Sequence, residues 1–287
     1  MAVPRNRQAV AALLAAGAAA RLSREAMQDL LADALLFNRD PETVRMLVAA
    51  GADPLGIWPG DMNAIHMTVD HVTCFRDRGN NVVLLRTLLA MGVNLEHRND
   101  AAQTPLAFAL QEGTLADVRD LCAVSADVNA MCGSRYRAHP DAPPRPPLRL
   151  LTGAAAHWGI QRVEKTRILL DAGADPHLHD AQGLTAAMHV AEKLSDDAGD
   201  PSAWRRALNA IRTSAPQPTP PPSHDRDRFI QATSETYAAR IQPLTEDLKP
   251  TDTAHRTHVR SERIQILALL WASEDHAGLS KSATQPT

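Results

Sequence analysis

Apolar residues along this chain fall in short runs with helical spacing, and the runs come in pairs. Met27, Leu30, Leu31, Ala34 and Leu35 recur at steps of three and four, the stripe of an amphipathic helix. A second run, Val44 to Val48, follows after a short polar break. This pattern predicts helices over residues 8–16, 24–37, 41–50, 63–75, 81–91, 104–112, 115–123, 148–157 and 162–171. Another starts at Thr185, with a poorer partner over 202–212 around Trp204, Leu208 and Ile211. Two further helices are predicted over 226–242 and 252–272. The predicted fold class is therefore all-α.

Glycine punctuates these pairs. Gly51-Ala52-Asp53-Pro54 follows the run ending at Val48, and Gly173-Ala174-Asp175-Pro176 follows Arg167-Ile168-Leu169-Leu170. Weaker copies begin at Gly17, Gly92 and Ser125. The steps between first residues are 34, 41, 33 and 48. Two of these are a bare unit, and two are that unit plus 8 and plus 15 residues. A second phrase lies twelve residues after the glycine, at Asn63-Ala64-Ile65-His66, Thr104-Pro105-Leu106-Ala107 and Thr185-Ala186-Ala187-Met188. Periods of this size mark stacked supersecondary units.

Each phrase has a physical reason. Thr before a helix caps orphan N–H groups, and Pro fits the next position because its missing N–H is not needed. Glycine after a helix supplies a left-handed cap at little steric cost. Ser125 stands in the glycine position, so that helix end is expected to be less well formed. Asp and Asn then suit the turn into the next unit.

The two phrases together resemble the ankyrin repeat, whose signature is T-P-L-H-x-A in a unit of about 33 residues. The best match is residues 167–191, although Met188 replaces the family's His and His189 falls one position late. The resemblance covers about five degenerate units over residues 8–213. The 8 extra residues lie around Asp70 to Asn80, a long loop at 131–147 carries five prolines, and a further insertion lies near Trp158. It implies a helix-turn-helix solenoid that binds another protein. It also implies that His66 is a structural hydrogen-bonder. His189, out of phase, is assigned no role.

A Pro-rich stretch, 214–223, reads as a linker, since its proline density forbids helix. Its Pro218 and Pro221 have P-x-x-P spacing. Residues 224–274 form a helical C-terminal segment, and 275–287 are expected to be disordered. The run Ile264 to Trp271 is apolar nearly all round and must be covered, by repeat 5, by the 226–242 helix or by a partner.

Composition narrows the function. Aromatic residues make up only 3% of the 287 residues. That suits thin helices packed through small side chains and suits an aromatic-lined enzyme pocket poorly. Net charge is −3, so no basic balance argues for nucleic acid. The three cysteines, Cys74, Cys122 and Cys132, make a poor disulfide framework, and no C-x-x-C suggests zinc. No motif of a hydrolase elbow, P-loop, kinase or zinc protease is present. The chain is expected not to be an enzyme and to need no cofactor. No stretch of 18 or more apolar residues suggests a membrane span.

Expected partner-binding residues sit on turn tips and first-helix faces: Trp58, Arg98, Asp100, Phe108, Arg135, Tyr136, Arg137, His177 and His179. Trp, Tyr and Arg most often dominate interface energy. Trp58 has the alternative of packing under its own turn. His177 and His179 alternate beside Asp175, which is also a metal-ligand spacing. His255, Arg256, His258, Arg260 and Arg263 form a basic helical stripe that reads as a solvated face.

The expected function is a protein-interaction module acting as a monomeric scaffold, inhibitor or effector. The alternative is a targeting adaptor coupled to an activity in the C-terminal helices. The expected location is the cytoplasm. Secretion is the alternative, into a host cell or by an N-terminal signal. Arg5, Arg7 and the Ala9–Ala20 run allow such a signal, but Gln8 to Gly17 is in register with the later second helices. The Ala, Arg and Pro bias suits a GC-rich bacterial genome.

Overall fold

The computed structural model of the chain describes residues 3–69, 81–133, 143–152, 161–196, 201–214, 226–247 and 254–283. Among the described residues the regular elements are all helical, and Trp58 and Met62 form an isolated bridge. The chain divides into two compact units, Met1–Ala142 and Pro143–Thr287.

The first unit is a two-layer stack of short helices. Its helices are α1 (Val3–Ala15), α2 (Arg24–Asp33), α3 (Pro41–Ala49), α4 (Ala64–Met67), α5 (Val82–Ala90), α6 (Pro105–Glu112) and α7 (Leu115–Ala123). A π turn, Ala34–Asn38, extends α2. Helices α2 and α3, α4 and α5, and α6 and α7 pack as pairs. Helices α1, α3, α5 and α7 then pack in succession as one layer, and α4 with α6 in the other. Between the layers lie Leu31, Leu35, Val44, Leu47, Ile65, Leu84, Leu85, Leu88, Leu106, Leu110, Val118 and Leu121, all at most 3% exposed. Truncating any one of these to alanine costs about 2–5 kcal/mol.

Caps set the boundaries. Ser23, Asp40, Asn63, Thr104 and Thr114 each accept a hydrogen bond from the backbone N–H three residues on. Pro41 and Pro105 occupy the first helical position. At the other end, α3, α5, α7 and the later α9 (Arg162–Asp171) stop on one motif. Gly51, Gly92, Ser125 and Gly173 have φ of 110°, 89°, 66° and 92°. The following N–H donates back to a buried leucine carbonyl, to Leu47, Leu88, Leu121 and Leu169 at 2.9–3.1 Å. This is the Schellman arrangement. The helix end at Ser125 therefore differs from expectation. It carries both bonds, to Cys122 at 3.0 Å and from Ala126 to Leu121 at 3.1 Å. Packing of Leu121 and Ala126 holds serine in a backbone region that disfavours a Cβ.

A polar line ties the starts of the layer helices. Arg7 donates to Asp40 at 2.8 Å, Arg39 to Asp117 at 3.3 Å, and the Asn81 N–H to Asp120 at 2.6 Å.

The second unit holds α8 (Pro147–Leu150), α9, α10 (Ala186–Asp196), α11 (Pro201–Ser214), α12 (Arg226–Ile241) and α13 (Ala254–Ala283). The apolar run of α13 is covered: Ile264, Ile266, Leu267, Leu269, Leu270 and Trp271 are at most 6% exposed. Helix α13 packs along α12 and against α10 and α9, so both intramolecular routes are used. Arg226 caps the end of α9 by donating to the Leu170 carbonyl at 2.7 Å. The C-terminal helices are thus part of the core that contains α9 and α10, not a segment apart from it. Helix α13 also continues to Ala283, where disorder was expected from 275. Its next turn is held, because Arg212 of α11 donates to Glu274 at 3.1 Å and also binds Asp275.

Arg212 organises a junction of three helices. It lies 5.7 Å from the ring centres of both Tyr237 and Trp271. The Tyr237 hydroxyl accepts from Arg212 and donates to Asp275, each at 2.7 Å. Burial pushes the Glu274 carboxyl up to about 7, and Arg212 only partly opposes it. The Pro-rich stretch beyond Ser214 lies outside the described residues.

Two outcomes are expected. Ser125→Gly relieves the left-handed serine and raises unfolding free energy by about 1 kcal/mol, while Gly173→Ala lowers it by a similar amount; urea titration measures both. Glu274 is more easily protonated folded than unfolded. Its contribution is therefore full below about pH 4.5 and lost as pH rises through about 7. The stability of Glu274→Gln relative to the parent accordingly shifts in the variant's favour from pH 5 to pH 8, read by thermal unfolding.

Candidate protein-binding surface

The segment between one helix pair and the next folds as a finger. Three fingers share one three-residue loop, 58–62, 99–103 and 180–184. In the first, the Trp58 and Met62 backbones exchange hydrogen bonds at 2.8 and 3.2 Å. In the others the Asn99 N–H donates to Gln103 and the Asp180 N–H to Leu184, both at 3.0 Å. The fourth residue is left-handed each time: Asp61 at 57°, Ala102 at 55° and Gly183 at 74°. Asn99 and Asp180 brace their loops by accepting two backbone N–H bonds each at 2.9–3.0 Å. Asp and Asn are favoured here because the short side chain closes such a turn.

In the first unit the fingers are joined side by side. The Asp100 N–H donates to Gly60 at 2.9 Å, and the Gly133 N–H to Ala102 at 2.8 Å. His97 Nε2 lies 2.8 Å from the Asp61 carbonyl, and the Asp127 N–H donates to Glu96 at 2.9 Å. A Cβ on Gly133 would lie 2.0 Å from the Ala101 carbonyl, so only glycine permits that contact. The first finger is also tied to α2. The Gln28 amide donates to the Asp53 carbonyl at 2.8 Å and accepts from its N–H at 3.1 Å. Backbone bonds thus fix the finger positions and leave tip side chains outward.

Arg98 and Asp100 are exposed on one finger; Arg98 donates to the Ala102 carbonyl at 3.2 Å. Phe108 is half-buried on α6, its ring 5.9 Å from His66. Trp58 differs from its expected place at the surface. It is 8% exposed, because the bridge to Met62 turns its side chain inward, and its indole N–H has no hydrogen-bond partner. His177 is half-buried and His179 exposed in the second unit. Arg135, Tyr136 and Arg137 lie outside the described residues. Among the described residues no cluster of three or more His, Cys, Asp or Glu is arranged to hold a metal ion. Of these residues, Asp100 joins its finger to the one carrying Trp58, through its N–H bond to Gly60.

His66 is structural. It is 1% exposed, with Nδ1 2.9 Å from the Asn63 side-chain oxygen and Nε2 3.1 Å from the Gln103 carbonyl. It thereby links α4 to the next finger. Burial pushes its pKa down to about 4. His189, given no role by its phase, is also buried, with Nδ1 2.8 Å from the Thr152 hydroxyl. Burial, with Arg149 beside it, pushes it down to about 3. A one-residue shift did not cost this histidine its partner, because the hydroxyl of α8's end reaches it.

Sequence reasoning passed over Leu55 and Ile57. They are 56% and 50% exposed on the first finger. The available signal was two large apolar residues in a turn between prolines, where no core needs them. No protein-family model matches the chain, and no curated protein matches it.

The two classes of residue separate experimentally. His66→Ala removes a buried ring and its link to the Gln103 carbonyl, and lowers stability by about 2 kcal/mol or more. Arg98→Ala, at the surface, changes it by less than about 0.5 kcal/mol. Denaturant unfolding of both variants checks this.

Proposed function

We propose that the chain is a protein-binding module built from about five ankyrin-type repeats, serving as a scaffold, inhibitor or effector. The observation that carries this reading is the row of fingers in the first unit. Their backbones are cross-bonded at 2.8–2.9 Å while Asp61, Arg98 and Asp100 point exposed side chains outward. A fixed backbone reduces the ordering cost of binding. The capped helix, left-handed stop and three-residue loop recur in the phase of the sequence repeat, which supports the repeat assignment. The packing of α12 and α13 on α9 and α10 favours a capping role for the C-terminal helices over a separate activity. Among the described residues no helix is long and apolar enough to cross a membrane.

The reading is tested by affinity capture with the full chain and with Arg98→Ala/Asp100→Ala. A stoichiometric protein partner is expected with the parent and lost with the variant, at a melting temperature within about 2 °C of the parent. Retention of that partner by the variant would move the binding surface off the fingers.

A further inference from the structure

Resting on the finger-row reading above, we infer that the first unit takes a cationic, apolar segment of a partner protein, seated on Leu55 and Ile57. Three independent observations converge on this finger.

The first is apolar exposure on a rigid support. Leu55 and Ile57 are more than half or half exposed, yet the backbone between them is fixed. The Leu55 N–H donates to the Asp53 carboxylate at 3.0 Å, and Gln28 holds Asp53 from both sides. A Cβ on Gly56 would lie 2.2 Å from that braced Gln28 amide, so the finger lies directly against α2. Apolar groups held at the surface on a braced loop fit a binding anchor, since ordering them costs little on association.

The second is an unused donor in the same finger. Trp58 lies between exposed Ile57 and exposed Pro59, and its buried indole N–H has no partner. Buried indole groups ordinarily find an acceptor.

The third is charge. Among the described residues, Asp53 and Asp61 are the carboxylates of this finger and Asp100 joins it through its N–H bond to Gly60, against Arg98 on the neighbouring finger. Arg24 lies 3.6 Å from Asp53. The excess of acid over base in the whole chain falls in this unit, which carries 16 acidic and 13 basic residues. An apolar centre within an acidic rim is complementary to lysine or arginine flanking apolar side chains.

An unbiased library of short displayed peptides, selected on the immobilised full chain, tests this. The expected winners carry two or more Lys or Arg beside at least two large apolar residues. One winner, synthesised with a fluorescent label, is then measured by anisotropy. Leu55→Ser/Ile57→Ser is expected to weaken it about tenfold. Asp53→Asn/Asp61→Asn/Asp100→Asn keeps the turn-closing side-chain oxygens and weakens it similarly, and the parent's affinity falls as salt is raised. Neutral or acidic winners, no enrichment, or affinities unchanged in either variant would overturn the proposal. A protein captured from lysate through Arg98 and Asp100 while the selected peptides are neutral or acidic would leave the interaction role standing and this partner chemistry refuted.

Discussion

The architecture turns on one backbone conformation, the left-handed residue that stops each layer helix. Gly51, Gly92, Ser125 and Gly173 take it. With it come a return bond to a buried leucine and a chain reversed toward the next finger. Without that reversal the helix would run on, and its leucine face could not meet the next pair. Only a residue that tolerates positive φ can stand there without cost. Serine at 125 is kept in place by the burial of Leu121 and Ala126 on either side of it.

That constraint also explains where exposed chemistry collects. Reversals place every finger at the same end of its helix pair, and lateral backbone bonds then fix neighbouring fingers together. Side chains at the tips have no core to fill. In the first finger Leu55 and Ile57 are exposed beside the carboxylates of Asp53 and Asp61. Buried polar groups do the opposite work. His66 and Asp117 link one layer position to another. Burial pushes His66 well below an ordinary histidine.

The second unit solves a different problem. Its long helix α13 packs along α12 and covers apolar surface of α9 and α10. Arg212 supplies the polar lock, facing two rings and two carboxylates at once. A guanidinium can do this because its planar face stacks while its edge donates.

Much of the fold was legible in the sequence. Caps such as Thr104 with Pro105, and stops such as Gly51 and Gly173, act through the nearest few residues, so their phase predicts those helix limits to within a few positions; α4 and α8, by contrast, end at Met67 and Leu150, well short of the predicted 75 and 157. The helix pairs and the apolar layer between them follow from that phase, and the structural role of His66 was implied by the resemblance to the ankyrin repeat. What the sequence did not determine depends on contacts between distant residues. Trp58 turns inward because it pairs with Met62 in a loop whose register no local rule specifies. His189 meets Thr152 across 37 positions. Helix α13 extends past Glu274 because Arg212, 62 residues earlier, reaches it. Leu55 and Ile57 are exposed because α2 fixes their finger away from the core. Local chemistry thus set the capped starts and left-handed stops of the layer helices, and tertiary packing decided how far α13 runs and which side chains were left facing water.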